Sequence, residues 1–198
     1  MLSYLATAAL LTISAHAAPQ AAMGNDPQQT RPEKTQAQPS GPMATRKPAA
    51  LLRGLASFGA AAPGDGFAYV YGGHSGRAHE HNRDNVSGDF ARRNLVDGHS
   101  WEALPGGPKV QGTSLVAWGG HLYRIGGMTA HNEAHESADM ESIASVQRFN
   151  PREGRWFEET PLPQGRSSHD AWVIGNHLYV VGGWCLAGRG KAATWHES

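Results

Sequence analysis

The sequence predicts an all-β protein made of repeated antiparallel sheets, and three glycine pairs are the first reason. Each pair ends a short run of apolar and aromatic residues, FAYVYGG, HLYRIGG or HLYVVGG. The pairs are Gly72-Gly73, Gly126-Gly127 and Gly182-Gly183, and their first glycines are 54 and 56 residues apart. A fixed period near ~50 residues indicates an array of repeats and not a domain with a single core.

Residues before the glycines recur at fixed distances and give the second reason. A tyrosine lies three residues before each pair, namely Tyr69, Tyr123 and Tyr179. A turn dipeptide begins seven residues before each pair, namely Asp65-Gly66, Gly119-Gly120 and Gly175-Asn176. Because such dipeptides tolerate positive φ, each glycine run is predicted to be the second strand of a hairpin with a two-residue turn. The tyrosines are predicted to be buried at equivalent places, because aromatic rings pack one sheet on the next.

Tryptophans mark the last strand of each complete repeat. Trp101 and Trp156 follow the first glycine of their repeats by 29 and 30 residues, and each precedes a proline-rich break. The second repeat is therefore predicted to contain four strands, over residues 113–118, 121–126, 145–149 and 155–159. In the third repeat Trp195 lies only 13 residues after Gly182, so it is predicted to lie in the region that enters the third strand.

This pattern resembles the kelch repeats, whose unit is a strand, a hairpin, a strand ending in Gly-Gly, a looser strand and a strand that opens with Trp. The resemblance covers roughly residues 56–198. It implies a kelch-type β-propeller fragment of about two and a half four-stranded antiparallel blades. One departure concerns the arginine that the family often has before the first strand, because only Arg166 supplies it. Counting sixteen residues back from the glycines gives Ala56 and Val110 in the other repeats.

The N-terminal part of the chain is predicted to be separate from the blades. An apolar stretch at 5–14 followed by Ala15-His16-Ala17 indicates a secretory signal peptide over residues 1–17, cleaved before Ala18. Residues 18–50 are rich in Pro, Gln and Ala and have too few apolar side chains to offset their ordering entropy, which predicts a disordered linker. The blades are then assigned to residues 51–108, 109–163 and 164–198. We therefore expect a secreted or periplasmic protein without a membrane span after signal removal.

The number of blades predicts an incomplete ring. Closed propellers need about 4 to 8 blades, because closure removes the free strand edges. We expect either further sequence that supplies the missing blades in cis or an oligomer that completes the ring.

Composition excludes several classes of partner and chemistry. Lys and Arg together number 17, Asp and Glu together number 17, and the formal net charge is +0, so no nucleic-acid partner is expected. The one cysteine, Cys185, precludes an internal disulfide. No cofactor is predicted.

Histidines provide the remaining chemical signal. Five of them lie in the loops that leave the first two glycine pairs, namely His74, His79, His81, His131 and His135. Equivalent loops of a propeller emerge on one face, so these side chains and the carboxylates beside them are the candidates for a zinc, copper or ligand site. His131 and His135 have the i, i+4 spacing of one helical face. The alternative is an ordinary polar surface, because the histidines lack the specific spacing of a metal motif.

The resemblance implies recognition of a protein or a glycan by loops on one face of a rigid ring. An enzyme is the alternative, because galactose-oxidase-like and sialic-acid-mutarotase-like propellers belong to the same group. The oxidase kind uses a tyrosine cross-linked to a cysteine, for which Cys185 is the sole candidate. No catalytic residue is singled out, and Asp170 beside His169 is interpreted as the start of a strand.

Overall fold

The computed structural model describes residues 10–11, 50–51 and 53–196, which belong to one compact unit of the chain. These residues contain fifteen strands. In chain order they are β1 (Leu10–Leu11), β2 (Gly59–Ala61), β3 (Phe67–Tyr71), β4 (Phe90–Asn94), β5 (Glu102–Leu104), β6 (Ser114–Trp118), β7 (His121–Ile125), β8 (Met128–Ala130), β9 (Met140–Ser142), β10 (Val146–Asn150), β11 (Arg155–Glu159), β12 (Asp170–Ile174), β13 (His177–Val181), β14 (Trp184–Cys185) and β15 (Thr194–Trp195). The described part is all-β, and it holds no helix long and apolar enough to cross a membrane.

Most of the predicted signal peptide and linker lies outside the described residues. Within the signal region only Leu10 and Leu11 are described, and they pair as an edge strand with β13. Ala50 and Leu51 have no regular secondary structure. The division of the chain into signal peptide, linker and blades stays a prediction.

Two four-stranded antiparallel sheets form the first two blades. Blade 1 has the order β2-β3-β4-β5, and blade 2 has the order β6-β7-β10-β11. The third blade contains β12 and β13, with β1 at the edge of β13. All four strands predicted for the second repeat are present, each within one residue of the predicted bounds. This architecture confirms the partial kelch-type propeller.

The hairpin turns differ from the prediction in one repeat. Trp118 pairs with His121 and Ile174 pairs with His177, so the second and third hairpins have two-residue turns. The first hairpin is longer, because β2 ends at Ala61 and β3 begins at Phe67. There the Asp65 carboxylate accepts hydrogen bonds from the Phe67 N–H and the Tyr69 hydroxyl, which close the longer turn.

Two small sheets lie in segments that the sequence did not predict as strands. β8 pairs with β9 after the second glycine pair, and β14 pairs with β15 after the third. Trp184 pairs with Trp195 as Met128 pairs with Ser142, so Trp195 belongs to this hairpin. The equivalent hairpin of blade 2 lies just before the third strand of that blade, β10, so Trp195 lies in the region predicted from the sequence, although the hairpin itself was not predicted.

The core lies between the blades. One cluster joins Tyr69, Tyr71 and Phe90 of blade 1 to Leu122 and Phe149 of blade 2. A second cluster joins the opposite face of blade 2 to the third blade, and its buried residues are Tyr123, Ile125, Val146, Leu162, Leu178 and Val180. Aromatic rings therefore pack one blade on the next, as their burial of large apolar areas predicts.

The predicted burial of the three tyrosines holds for two of them. Tyr69 and Tyr123 are buried, with 0% and 6% exposure. Tyr179 is half-buried. In the first two blades the tyrosine faces the following blade, whereas no described residues form a blade beyond Tyr179.

Candidate binding face

One end of the blades, which we call the Gly-Gly face, carries the loops of interest. Strands β3, β7 and β13 end there at the glycine pairs, and β2, β6 and β12 begin there because the register is antiparallel. Three cavities are lined by residues of this face. The fold therefore collects segments that are distant in sequence at one end of the sheets.

A cavity of about 260 Å³, which we call the loop cavity, lies between the loops of blades 1 and 2. Three of the candidate histidines line it, namely His79, His81 and His135. Glu80 and Glu136 contribute to the same lining. Histidine and glutamate residues of two loops therefore line one cavity.

His79 and His135 occupy the same position of the same kind of turn. The Glu80 N–H donates to the Arg77 carbonyl and the Glu136 N–H donates to the Glu133 carbonyl, each at 3.3 Å. Within these turns His79 has φ 66° and His135 has φ 70°. Residues with a side chain rarely adopt this left-handed backbone conformation, and a residue other than glycine there lowers the stability of the fold by about 1 kcal/mol or more.

The signal for this equivalence is present in the sequence but was missed. Both turns contain the tripeptide Ala-His-Glu, at 78–80 and at 134–136. The third loop has a related turn in which the Lys191 N–H donates to the Gly188 carbonyl and Gly190 has φ 72°. Two of the three loops thus place histidine where the third places glycine.

His74 and His81 form a contact beneath the exposed turn of blade 1. Their ring centroids are 4.9 Å apart at an interplanar angle of 62°. His74 Nε2 lies 2.8 Å from the Glu80 carbonyl oxygen, and the Gln111 amide donates to His81 Nδ1 at 3.0 Å. Burial, with smaller contributions from His74 and His79, lowers the pKa of His81. Burial therefore favours the neutral form of the His81 imidazole.

His131 does not join this group. It follows β8, and its Nε2 lies 3.0 Å from a carboxylate oxygen of Glu141 in β9. The helical face expected for His131 and His135 was wrong, because the segment forms a strand and then a turn. Among the described residues, no three His, Cys, Asp or Glu side chains are arranged to hold a metal ion. The five candidate histidines stay a prediction.

Hydrogen bonds between neighbouring loops fix the walls of the loop cavity. Asn132 is 2% exposed, and its side-chain amide donates to the His81 carbonyl at 2.8 Å. The Arg83 N–H donates to the Asn132 carbonyl at 3.0 Å, and the Arg83 guanidinium pairs with Glu133. The two loops thus form one connected surface, in which Asn132 is a residue that sequence reasoning missed.

A second cavity of about 440 Å³ lies where the first strands of the three blades approach one another. Its lining comes from the start of each of these strands, at residues 57–60, 112–115 and 168–171. The Ser114 hydroxyl donates to the His169 carbonyl at 3.0 Å and so ties blade 2 to the third blade. This cavity is therefore bordered by the first strand of each of the three blades.

His169 is the most unusual side chain near this cavity. It is 8% exposed, and neither ring nitrogen has a hydrogen-bond partner within the described chain. Burial, with Arg166 and His196 nearby, lowers the pKa of His169 to about 4. From the sequence, His169 was interpreted only as a neighbour of Asp170, which does begin β12 as predicted.

Cys185 lies in β14 and is half-buried. Its sulfur accepts a hydrogen bond from the Gln164 side-chain amide at 3.2 Å. Of the tyrosines of the repeat motif, Tyr69 and Tyr123 belong to the clusters between blades, and Tyr179 lies in β13.

Comparison with known proteins agrees with this architecture. The chain is 38% identical over 71 residues to "Kelch domain-containing protein 7A" of Mus musculus, an alignment that covers 35% of this chain and 8% of that protein. It is 30% identical over 75 residues to "Kelch-like protein 15" of Homo sapiens, covering 38% of this chain and 12% of that protein. It is 24% identical over 124 residues to "Kelch-like protein 36" of Rattus norvegicus, covering 60% of this chain and 18% of that protein. The chain carries kelch repeats.

A solved structure, "Structure of YjhT", matches with a TM-score of 0.53 and 19% sequence identity. The match covers 68% of this chain and 36% of that chain, and it shows the fold alone. No protein-family model matches the sequence. The kelch chain described here spans between 8% and 18% of the length of the three curated relatives.

Proposed function

We propose that this kelch chain is a secreted or periplasmic recognition module whose Gly-Gly face binds a protein or a glycan ligand. The observation that carries the proposal is the loop cavity, where two sequence-distant loops present His79 and His135 from identical turns. Hydrogen bonds of Asn132 and Arg83 join the two loops that carry these histidines, which suits specific recognition because less backbone ordering entropy is lost on binding. Function in such a fold resides in the loops that the rigid sheets position.

Strain at the two histidines supports the same proposal. Glycine accepts the left-handed backbone without cost, and the third loop uses it at Gly190. Strained conformations are concentrated at functional sites, since the surrounding structure must hold them in place. The imidazoles of His79 and His135 thus provide donors and acceptors at a position where glycine would be the more stable choice.

Binding is tested with the full chain on an array of oligosaccharides and on a displayed peptide library. We expect a ligand of one class to bind the native chain and to lose its affinity when His79 and His135 are both changed to Gly. Glycine keeps the left-handed turns, so the double variant should gain about 1 kcal/mol or more of stability while it loses binding.

The matched control changes Leu95 and Val96 to Ser. These side chains are 60% and 81% exposed and follow β4 at the end of blade 1 opposite the Gly-Gly face. Binding should survive this change. Equal binding by the histidine double variant would move the site away from the loop cavity.

Export rests on the predicted signal peptide and has its own test. Residues 1–30 fused to a reporter should direct it out of the cytoplasm, with cleavage between Ala17 and Ala18. Mass spectrometry of the exported product gives the new N-terminus. An intact fusion retained in the cytoplasm would exclude an extracellular ligand and leave the binding face to be tested with intracellular partners.

A further inference from the structure

The chain contains two Asp-Gly dipeptides, and each lies in a turn of blade 1. Asp65-Gly66 lies between β2 and β3, and Asp97-Gly98 lies between β4 and β5. In such a dipeptide the glycine nitrogen can attack the side-chain carboxyl of the aspartate, because no Cβ on the glycine hinders the approach. The surroundings of the two carboxyl groups therefore decide which aspartate reacts.

The Asp65 carboxylate is held by a hydrogen bond to each of its oxygens. Oδ1 accepts from the Phe67 N–H at 3.0 Å, and Oδ2 accepts from the Tyr69 hydroxyl at 2.6 Å. Tyr69 is buried in the core between blades 1 and 2, so its hydroxyl is fixed in place. The Gly66 carbonyl accepts from the Leu95 N–H at 2.9 Å. Both residues of this dipeptide are thus restrained by neighbours.

The reacting groups of Asp97-Gly98 are free. Asp97 is exposed, and its carboxylate takes part in no hydrogen bond or ion pair of the described chain. The Gly98 N–H also has no hydrogen-bond partner among the described residues. In the corresponding turn of blade 2, the Gly154 N–H donates to the Asn150 carbonyl at 2.8 Å. The turn of blade 1 therefore leaves a nucleophilic nitrogen and a carboxyl group unrestrained in adjacent residues.

The fold itself requires a glycine after Asp97. Asn94 Oδ1 accepts from the Val96 N–H at 2.8 Å and from the Asp97 N–H at 3.2 Å. The Gly98 carbonyl accepts from Arg93 Nε at 3.1 Å. A Cβ at Gly98 would overlap the Asn94 carbonyl oxygen, so a larger residue does not fit in this turn.

We propose that Asp97 is a site of spontaneous modification, at which aspartate converts to isoaspartate through a succinimide, and that the fold protects Asp65 from the same reaction. The Gly98 nitrogen forms a bond to Asp97 Cγ, the C–O bond of the protonated carboxyl breaks, and the hydroxyl leaves with the amide proton as water. Water then adds to one of the two ring carbonyls. When the ring opens at the backbone carbonyl carbon, Gly98 stays bonded to Cγ and the product is isoaspartate. Neither step needs an oxidant, a reductant or a second substrate.

The modification changes the backbone of one turn. Isoaspartate places an additional methylene in the main chain and shortens the side chain by the same group, so the mass of the chain is unchanged. The turn lies at the end of blade 1 opposite the Gly-Gly face, beside the exposed side chains of Leu95 and Val96. The change therefore affects that end of blade 1 and not the loop cavity.

Incubation of the full chain in water enriched in oxygen-18 tests the proposal, because hydrolysis of the succinimide incorporates one solvent oxygen. Trypsin in ordinary water then separates the two dipeptides into the peptides 54–77 and 94–109, since it cleaves after Arg53, Arg77, Arg93 and Lys109. Tandem mass spectrometry should find roughly tenfold or more label in peptide 94–109 than in peptide 54–77, because the hydrogen bonds of the Asp65 carboxylate must break before it reacts. Isoaspartate should be found at position 97.

The same incubation in concentrated urea measures the reactivity of each dipeptide without the fold. There the two peptides should be labelled to a similar extent. Asp97→Glu keeps the charge but would have to form a larger ring, so it should remove the label from peptide 94–109 of the folded chain. An unlabelled Asp97 in the folded chain, or equal labelling of the two peptides, overturns the proposal. An Asp65 that stays unlabelled in urea overturns its protection by the fold.

Discussion

At the scale of single residues, His169 shows how a long-range contact changes the chemistry of a side chain. A Cβ on Gly126 of the preceding blade would lie 3.1 Å from Cε1 of the His169 ring, so the ring packs closely against the backbone of that blade. The backbone of Gly183 approaches the same residue from its own blade. Because the imidazole is desolvated and close to Arg166, its cationic form is disfavoured in the folded state.

This desolvation predicts a loss of stability in acid. The pKa of His169 is about 4 in the folded chain, against the ordinary histidine value of 6.5 in an unfolded chain, so the unfolded chain binds a proton first as pH falls. The stabilising contribution is complete above about pH 6.5 and is lost progressively towards about pH 4, by up to about 3 kcal/mol. Urea unfolding of His169→Gln between about pH 7.5 and about pH 5 should show a smaller decrease in the free energy of unfolding than the native chain.

An exposed histidine provides the control for this titration. His99 lies in the turn before β5 and is exposed. His99→Gln should keep the native dependence of stability on pH. Identical pH profiles for the native chain and His169→Gln would show that burial does not suppress protonation at this position.

At the scale of elements, the glycine pairs act as joints between a strand end and the next blade. Gly126 has φ 53° and Gly182 has φ 69°, so both positions lie in the left-handed region. They differ in their surroundings, since only Gly126 is approached by the Arg166 carbonyl oxygen. Glycine at position 126 is thus favoured both by the left-handed backbone and by the close approach of the Arg166 carbonyl oxygen. Glycine at position 182 is favoured by the left-handed backbone alone.

Alanine substitutions separate these two requirements. Gly126→Ala should lower the free energy of unfolding by about 3 kcal/mol or more, because the new methyl group forces the Arg166 carbonyl away in addition to the backbone strain. Gly182→Ala should cost only about 1 kcal/mol, which is the strain of the left-handed backbone. Chemical denaturation in dilute solution measures both, and equal losses would contradict the packing of Gly126 against Arg166.

The elements also show why part of the fold could be predicted and part could not. Strands β6, β7, β10 and β11 follow from turn dipeptides, glycine pairs and Trp156, which are local signals at fixed spacing. Strand β9 depends on a neighbouring blade, since the Ser142 N–H donates to the Leu186 carbonyl. No periodicity in residues 127–145 records that contact, so the segment was interpreted as a loop.

The candidate site, like the fold, could be predicted from the sequence only in part. The sequence placed five histidines in equivalent loops, and the structure brings His79, His81 and His135 to one cavity. Turn geometry and the burial of Asn132 depend on the approach of two loops that are distant in sequence. The repeated Ala-His-Glu tripeptide was the one available sequence signal for the shared turn.

At the scale of the whole molecule, the blades stabilise one another through aromatic contacts. The ring centroid of Phe149 in blade 2 lies 4.8 Å from that of Phe90 and 6.5 Å from that of Tyr69, both in blade 1. Trp156 of blade 2 donates its indole N–H to the Pro105 carbonyl at 2.8 Å, after the last strand of blade 1. Repeat proteins derive much of their stability from such interfaces between neighbours.

Removal of one interfacial ring should therefore destabilise two blades at once. Phe149→Ala deletes a side chain that is 1% exposed, and we expect a loss of about 3 to 5 kcal/mol. Native-state hydrogen exchange should become faster in β3 and β4 of blade 1 as well as in β10 and β11 of blade 2. Phe157→Ala is the matched comparison, because the Phe157 ring packs under Arg148 and Arg155 of its own blade, and faster exchange should then be confined to blade 2. If Phe149→Ala also affected blade 2 alone, the two blades would be energetically independent despite their shared aromatic cluster.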